Sequence, residues 1–377
     1  MTGLRNALRQ IWATMALPLL AIVMALVAGA VVIILSSALV PGHGFDPGLP
    51  LTAYKALFEG SLGTDNARVE TLVQAAPLLL AALGIGLGFK AGLFNIGAQG
   101  QFLMGAIAAV AAAGALKGDG ALVAIPLSLL AGCAAGAAWG LIPGFLKAVS
   151  GAHEVVTTIM LNFIALALLS FLVSGPLRLP KSPQPVTAPV SDAALPIFIG
   201  RDGHIGIILA FLAVPVVWFL LFRTTRGFEI RAVGANPDAS RYAGMKPRRL
   251  IILTMTVAGL FAGLAGAGNI LGINHQMSAT FSTTVGFDAI TVALLGRSHP
   301  IGIMLAALLF GGMRAGAALM QIKAGVPVEL VDVVQSIILL FLVASPIVRR
   351  LFRLRGVKAS LGTTDTMART YGNEVIR

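Results

Sequence analysis

Charge is scarce in this 377-residue chain: Lys, Arg, Asp and Glu make up 11% of it, against about 25% in a soluble globular domain. Acids are scarcer than bases, 15 against 27, while hydrophobic residues reach 57% and mean hydropathy is +0.91. A soluble fold is excluded, and a polytopic integral membrane protein follows. A single cysteine, Cys133, is present, so neither a disulfide nor a cysteine metal cluster forms within one chain. No Gly-Lys dipeptide occurs, which removes the Walker A phosphate loop and with it ATP hydrolysis by this chain. HExxH and GxSxG are also missing, and the five histidines stand apart at 43, 153, 204, 275 and 299. Intramembrane hydrolysis thereby loses its machinery, and no metal site or resident cofactor is expected.

What the chain does have is a succession of apolar spans near residues 15–40, 71–89, 93–115, 121–145, 155–173, 205–222, 251–273, 286–296, 301–320 and 328–347. This predicts an all-α protein with about ten transmembrane helices, the 286–296 span being the shortest. The first span follows two arginines as a signal peptide would, yet it runs from Met15 to Val40 without a charge. A secretory apolar region is about 7–15 residues, so this span is expected to stay as an anchor. Glycine is abundant, 44 residues, and recurs at four-residue spacing at Gly84, Gly88 and Gly92, at Gly132, Gly136 and Gly140, and at Gly259 and Gly263. In lipid such faces let helix backbones pack closely.

The net charge of +12 is a topological signal. With a cytoplasmic N-terminus, the loops on that side carry Arg5, Arg9, Lys90, Lys147, the bases from Arg223 to Arg249, Arg297 and those from Arg349 to Arg377, which is 19 of the 27 Lys and Arg. The positive-inside rule then gives an N-in, C-in protein, and nucleic acid is not an expected partner. The expected organisation is one transmembrane domain over 1–350 and a polar cytoplasmic tail over 351–377. Extracytoplasmic loops fall at 41–70 and 174–204, and a cytoplasmic loop at 223–250. The 174–204 loop is rich in proline, which resists regular structure and suits a fixed docking surface.

Polar residues within the apolar spans mark the candidate site. Asn95, Gln99 and Phe102 stand at i, i+4, i+7, a spacing that shares one helix face and sets two amides beside an aromatic ring. Glu154, Thr158 and Asn162 form a second stripe at i, i+4, i+8. Amides read donor and acceptor edges of a polar solute, and a ring stacks on a base. The other reading is that Asn95 caps a broken helix, Gln99 bonds to a neighbouring helix and Glu154 favours a helix dipole. Asp288, Arg314 and Asp332 are ionisable groups in or at the edge of late spans, and pairing of Arg314 with Asp288 or with Asp332 would make them tolerable there. Lys90, Arg297 and His299 fall at predicted cytoplasmic ends, where snorkelling accounts for them. In the 223–250 loop, Asn236 is a good N-cap, Pro237 fits the first helical position, Asp238 suits the positive helix end, and Gly244 suits a left-handed close. A short surface helix is predicted there.

Four runs in order carry a resemblance: Phe94-Asn95-Ile96-Gly97-Ala98-Gln99-Gly100-Gln101, then Glu154 to Asn162, Arg231 to Asp238, and Gly286 to Gly296. Together they resemble the permease subunits of bacterial ABC importers, most closely the nucleoside and simple-sugar branch, over roughly residues 70–347. The resemblance implies a multi-pass protein of the bacterial inner membrane that works with a cytoplasmic ATPase, which binds ATP and Mg, a second permease, often a paralogue, and an extracytoplasmic substrate-binding lipoprotein. It implies that residues around Arg231, Gly234, Asn236, Pro237, Asp238, Arg241 and Gly244 form the coupling helix that sits in a groove of the ATPase. The expected function is uptake of a nucleoside-like solute by alternating access. The alternatives are a ribose-like sugar permease, an ion-coupled secondary transporter using the membrane ionisables, and a passive channel.

Overall fold

A computed structural model describes residues 20–35, 46–281 and 283–343. The ends of the first span, the last residues of the 328–347 span and the tail from 351 lie outside the described residues. The helices are α1 (Leu20–Leu35), α2 (Leu49–Leu62), α3 (Asp65–Lys90), α4 (Ala98–Ala115), α5 (Ala121–Ser150), α6 (Glu154–Ser174), α7 (Gly206–Arg223), α8 (Thr225–Ala235), α9 (Pro237–Tyr242), α10 (Pro247–Asn269), α11 (Val285–Leu295), α12 (Pro300–Ala324) and α13 (Glu329–Val343). Among the described residues seven are long and apolar enough to cross a membrane: α3, α4, α5, α6, α7, α12, and α10 together with the π-turn Ile270–Asn274 that follows it. α11 has 11 residues; at about 1.5 Å per residue it reaches only about half of a 30 Å hydrocarbon core.

The chain divides into two compact units. The first draws its described residues from Met1–Thr71 and Gly312–Ser360. There Tyr54 donates to Leu26 O at 2.6 Å, Thr71 donates to Ser61 O at 2.7 Å, and Glu59 pairs with Lys323. The 41–70 segment, expected as a loop, holds α2 and the start of α3. α2 forms because Gly48 and Asp46 turn the chain, Asp46 accepting from Gly48 N at 2.8 Å, and Pro50 takes an early helical position where its missing N–H costs nothing.

The second unit, whose described residues lie within Leu72–Gly311, is built on three mutually packed helices, α4, α5 and α10. Glycine makes this possible. A Cβ on Gly136 would lie 2.5 Å from Gly263 Cα, and one on Gly132 would lie 2.9 Å from Gly105 O. Gly105 and Gly263 meet backbone to backbone. The four-residue glycine spacing of α5 and α10 is therefore a packing device, as small residues are in lipid. The opposite faces of α5 and α6 leave Leu122, Leu130, Phe163 and Phe171 exposed, the surface a bilayer would cover.

The proline-rich segment before α7 is mostly irregular, with a small antiparallel pair of β1 (Ile197–Ile199) and β2 (Gly203–His204). Its backbone polar groups are met by the stretch after α10: Thr187 N donates to Met277 O at 2.9 Å, Met277 N donates to Thr187 Oγ1 at 3.2 Å, and Val190 N donates to His275 O at 2.9 Å. At the other end of α7, the 223–250 loop is two helices, α8 and α9, rather than one.

Candidate functional site

The first polar stripe does not share one helix face. Asn95 precedes α4, whose N-cap is Gly97, and only Gln99 and Phe102 lie in the helix. The cause is local: Asn95 Oδ1 accepts from Gly97 N at 3.0 Å, an Asx turn that competes with helix and delays its start. Asn95 Nδ2 donates to Gln101 Oε1 at 3.0 Å and Gln101 Nε2 returns a bond to Asn95 Oδ1 at 3.3 Å. Gln101, part of the first motif but not among the predicted site residues, thus closes the turn. Phe102 is fully buried, with its carbonyl against Gly266, and is a core ring.

The second stripe is a single buried face of α6, as its spacing predicted. It packs on the start of α4. Asn162 Oδ1 accepts from Gly100 N at 2.8 Å and Asn162 Nδ2 donates to Ile96 O at 3.0 Å, so one side chain satisfies two backbone groups at the helix break. Thr158 donates to Glu154 O at 2.7 Å, and its Cβ limits Gly97, where an added Cβ would come within 2.9 Å. Glu154, 2% exposed, pairs with Lys147 at 3.1 Å. The two predicted stripes therefore form one cluster.

A third element enters it. Gln99 Nε2 donates to Thr283 O at 2.7 Å and Gln99 Oε1 accepts from Gly286 N at 2.9 Å, so the amide of α4 closes the start of half-length α11. Gly286 is needed there, since a Cβ would collide with the Gln99 backbone. Trp139 of α5, which the sequence gave no reason to single out, places its indole Nε1 near Gly100; this buried N–H has no acceptor among the described residues. Its orphan state depends on packing that no local pattern reveals. Asp288 accepts from Thr284 Oγ1 at 2.7 Å in the first turn of α11. Arg314 and Asp332, on α12 and α13, belong to the other unit.

The cap of α9 is as read from sequence. Asn236 Oδ1 accepts from Asp238 N and Ala239 N, each at 3.0 Å, Pro237 opens the helix, and Gly244 has φ +81°. Asp238 and Arg241 are exposed, and Tyr242 is 95% exposed. Gly234 and Arg231 differ from expectation, because both belong to α8 and turn inward. Gly234 is buried against Lys90, Ala91 and Gly92. Arg231 lies over the Phe222 ring at 5.2 Å.

A break where one helix starts late and another spans half the bilayer, lined with amides inside a bundle of membrane-length helices, is how transporters build a path near the midplane. That places the chain among the membrane permeases. The family can be stated more closely: residues 67–343 match the model of the branched-chain amino acid transport system permease component, and the chain belongs to this family. It is 42% identical over 340 residues to the guanosine ABC transporter permease protein NupP of Bacillus subtilis, covering 88% of this chain and 94% of that one. It is 37% identical to the nucleoside ABC transporter permease protein NupB of Lactococcus lactis, over 92% of this chain and 95% of that protein. It is 35% identical to the glucose ABC transporter permease protein TsgB13 of Haloferax volcanii, over 90% of each. No solved structure matches the chain.

Proposed function

We propose that this chain is the transmembrane subunit of an ABC importer that carries purine nucleosides across the inner membrane, in which it is a multi-pass protein with both termini in the cytoplasm. The observation that carries the reading is the 42% identity, over nearly the whole length of both chains, to a permease named for guanosine. The cluster of Asn95, Gln99, Gln101, Thr158 and Asn162 at the α4 break supports it as the lining of the pathway. In the described arrangement these groups bond to one another and to backbone. Their first role is to hold the break shut, and a solute meets Asn95, Gln99 and Gln101 when the break opens.

The chain hydrolyses nothing and holds no cofactor. ATP and Mg are bound by a partner ATPase that engages the exposed face of α9 through Asp238, Arg241 and Tyr242, while Asn236, Pro237 and Gly244 shape that helix. A second permease, paralogous to this one, completes the pathway. An extracytoplasmic binding lipoprotein delivers solute to the 174–204 segment. Closure of the ATPase shifts the equilibrium between outward and inward arrangements, which moves solute only if its affinity differs between them. A simple-sugar permease is the second reading, favoured by the relative named for glucose.

The test is uptake by cells carrying the whole transporter. Labelled guanosine is expected to accumulate in an ATP-dependent manner, with excess ribose or glucose competing weakly. Full competition by either sugar, with no accumulation of nucleoside, refutes the substrate class and leaves the permease assignment standing.

A further inference from the structure

Between the α8–α9 pair and the amide turn lies a contact that neither the ATPase face nor the solute cluster uses. Gly234, at the end of α8, meets the turn after α3 backbone to backbone. A Cβ added to Gly234 would collide with Lys90 O and lie 2.8 Å from Ala91 C and 2.9 Å from Gly92 N. The approach is mutual: Gly92, at φ +74°, would place a Cβ 3.2 Å from Gly234 O. Around this pair Ala91, Leu93, Ile230, Val233, Leu250 and Met255 form a buried apolar cluster. Leu93 N bonds to Gly88 O at 2.9 Å, so the turn is fixed to α3 at one end, and two residues further on stands Asn95 with its reciprocal bond to Gln101.

We infer that the Gly92–Gly234 contact and the apolar cluster around it form the joint through which a displacement of α8 and α9 reaches the Asn95–Gln101 lock. Packed interiors transmit displacement because they resist compression. A backbone-to-backbone contact has no flexible side chain to absorb it. Gly92, Leu93 and Gly234 are thus positioning residues, which act on the pathway without touching solute or ATPase. This rests on the reading of the chain as an ATP-driven permease, and it divides the residues of the 223–250 segment into two kinds. Exposed Asp238, Arg241 and Tyr242 hold the ATPase; buried Gly234 and its neighbours convert that hold into movement.

The experiment uses the whole transporter with its ATPase, second permease and binding protein in proteoliposomes. It reads ATPase copurification, solute imported per ATP hydrolysed, and thermal midpoint. Leu93→Ala, which loosens the joint without a clash, and Gly234→Ala, which wedges it, are expected to keep the ATPase at the wild-type ratio. Both should lower solute per ATP by about 5-fold or more, the usual lower range of coupling between sites. Leu169→Ala, an equally buried truncation on α6, is the structural control: it lowers the midpoint and leaves solute per ATP unchanged. If Gly234→Ala does not insert, Leu93→Ala decides. Unchanged solute per ATP in Leu93→Ala, loss of ATPase binding in its place, or an equal loss in Leu169→Ala overturns the joint. Absence of ATP-driven import in the wild type overturns the underlying reading and the joint with it.

Discussion

Asn162→Ala separates a side chain that holds the pathway shut from one that grips solute. The amide accepts from Gly100 N at 2.8 Å and donates to Ile96 O at 3.0 Å, and the residue is 4% exposed. Truncation strands the buried Gly100 N–H and the part-buried Ile96 C=O. Each buried group left unpaired costs about 1–3 kcal/mol, whereas side-chain hydrogen bonds measured within membranes average about 0.6 kcal/mol because freed groups find other partners. The α4 break is bounded by Gly97 and Gly100, whose surroundings leave little room to re-pair, so a total near 3 kcal/mol is expected, within a range of about 1–4 kcal/mol. Thr158→Val is the comparison. Its hydroxyl bonds to Glu154 O and Val155 O, both carbonyls of its own helix, so its loss should cost under about 1 kcal/mol. The assay pairs the thermal midpoint of the purified assembly with initial uptake measured across solute concentration. Asn162→Ala should lower the midpoint by several degrees and reduce maximal uptake with KM little changed. A wild-type midpoint together with a strongly raised KM would refute the reasoning and make Asn162 a direct solute contact.

Two other outcomes follow from packing and burial. Gly263→Ala places a methyl against the Gly136 backbone, 2.8 Å from its Cα, whereas a Cβ on Gly268 of the same helix meets nothing within 4 Å. Detergent-solubilised yield should collapse for the first and hold for the second, and equal yields would show that the α5–α10 crossing is not as close as described. His204 is 2% exposed, packs against Gly206 and Gly272, and among the described residues has no hydrogen-bond partner at either ring nitrogen; burial and the neighbouring His275 hold its pKa down at about 4. The folded chain keeps this ring neutral while the unfolded chain protonates it below about 6.5, so stability is full above pH 6.5 and lost as pH falls towards 4. The total is on the order of 3 kcal/mol. The midpoint difference between pH 7.5 and pH 4.5 should shrink in His204→Phe, and an undiminished difference would place the titration elsewhere.

What sequence alone could read was set by how far away the partner stands. The α9 cap is legible because Asn236, Pro237, Asp238 and Gly244 answer one another within a few residues. The buried α6 stripe is legible for a similar reason, since periodicity is a property of the helix itself. Asn95 left two readings open because the same apolar period continues through it; its short amide bonds to Gly97 N and stops the helix from beginning, which is the broken-helix reading. Gly234 misled for the opposite reason. It stands in a loop rich in charge and reads as surface, but the backbone that buries it belongs to Lys90–Gly92, remote in sequence, and nothing local announces a glycine whose neighbour is another glycine.

The same distinction explains why the amides supported two readings and why the structure shows their bonds without ending their role. In a membrane interior an amide facing nothing is costly, so a pathway residue must have an internal partner whenever solute is absent. Asn95 with Gln101, and Gln99 with Thr283 and Gly286, meet that need with weak neutral bonds, each exchangeable for a bond to a hydroxyl or ring nitrogen of a solute at little net cost. The acid side chains are arranged differently: Glu154 is committed to Lys147, and Asp288 is held by Thr284. The proposed path, lined by exchangeable amides and with Glu154 and Asp288 already engaged, is suited to a neutral polar solute. An ion-coupled transporter would instead need a carboxylate whose partner changes during the cycle. On the proposed reading the groups that change partner are these amides, and the energy for transport is proposed to come from an ATPase acting through α8 and α9.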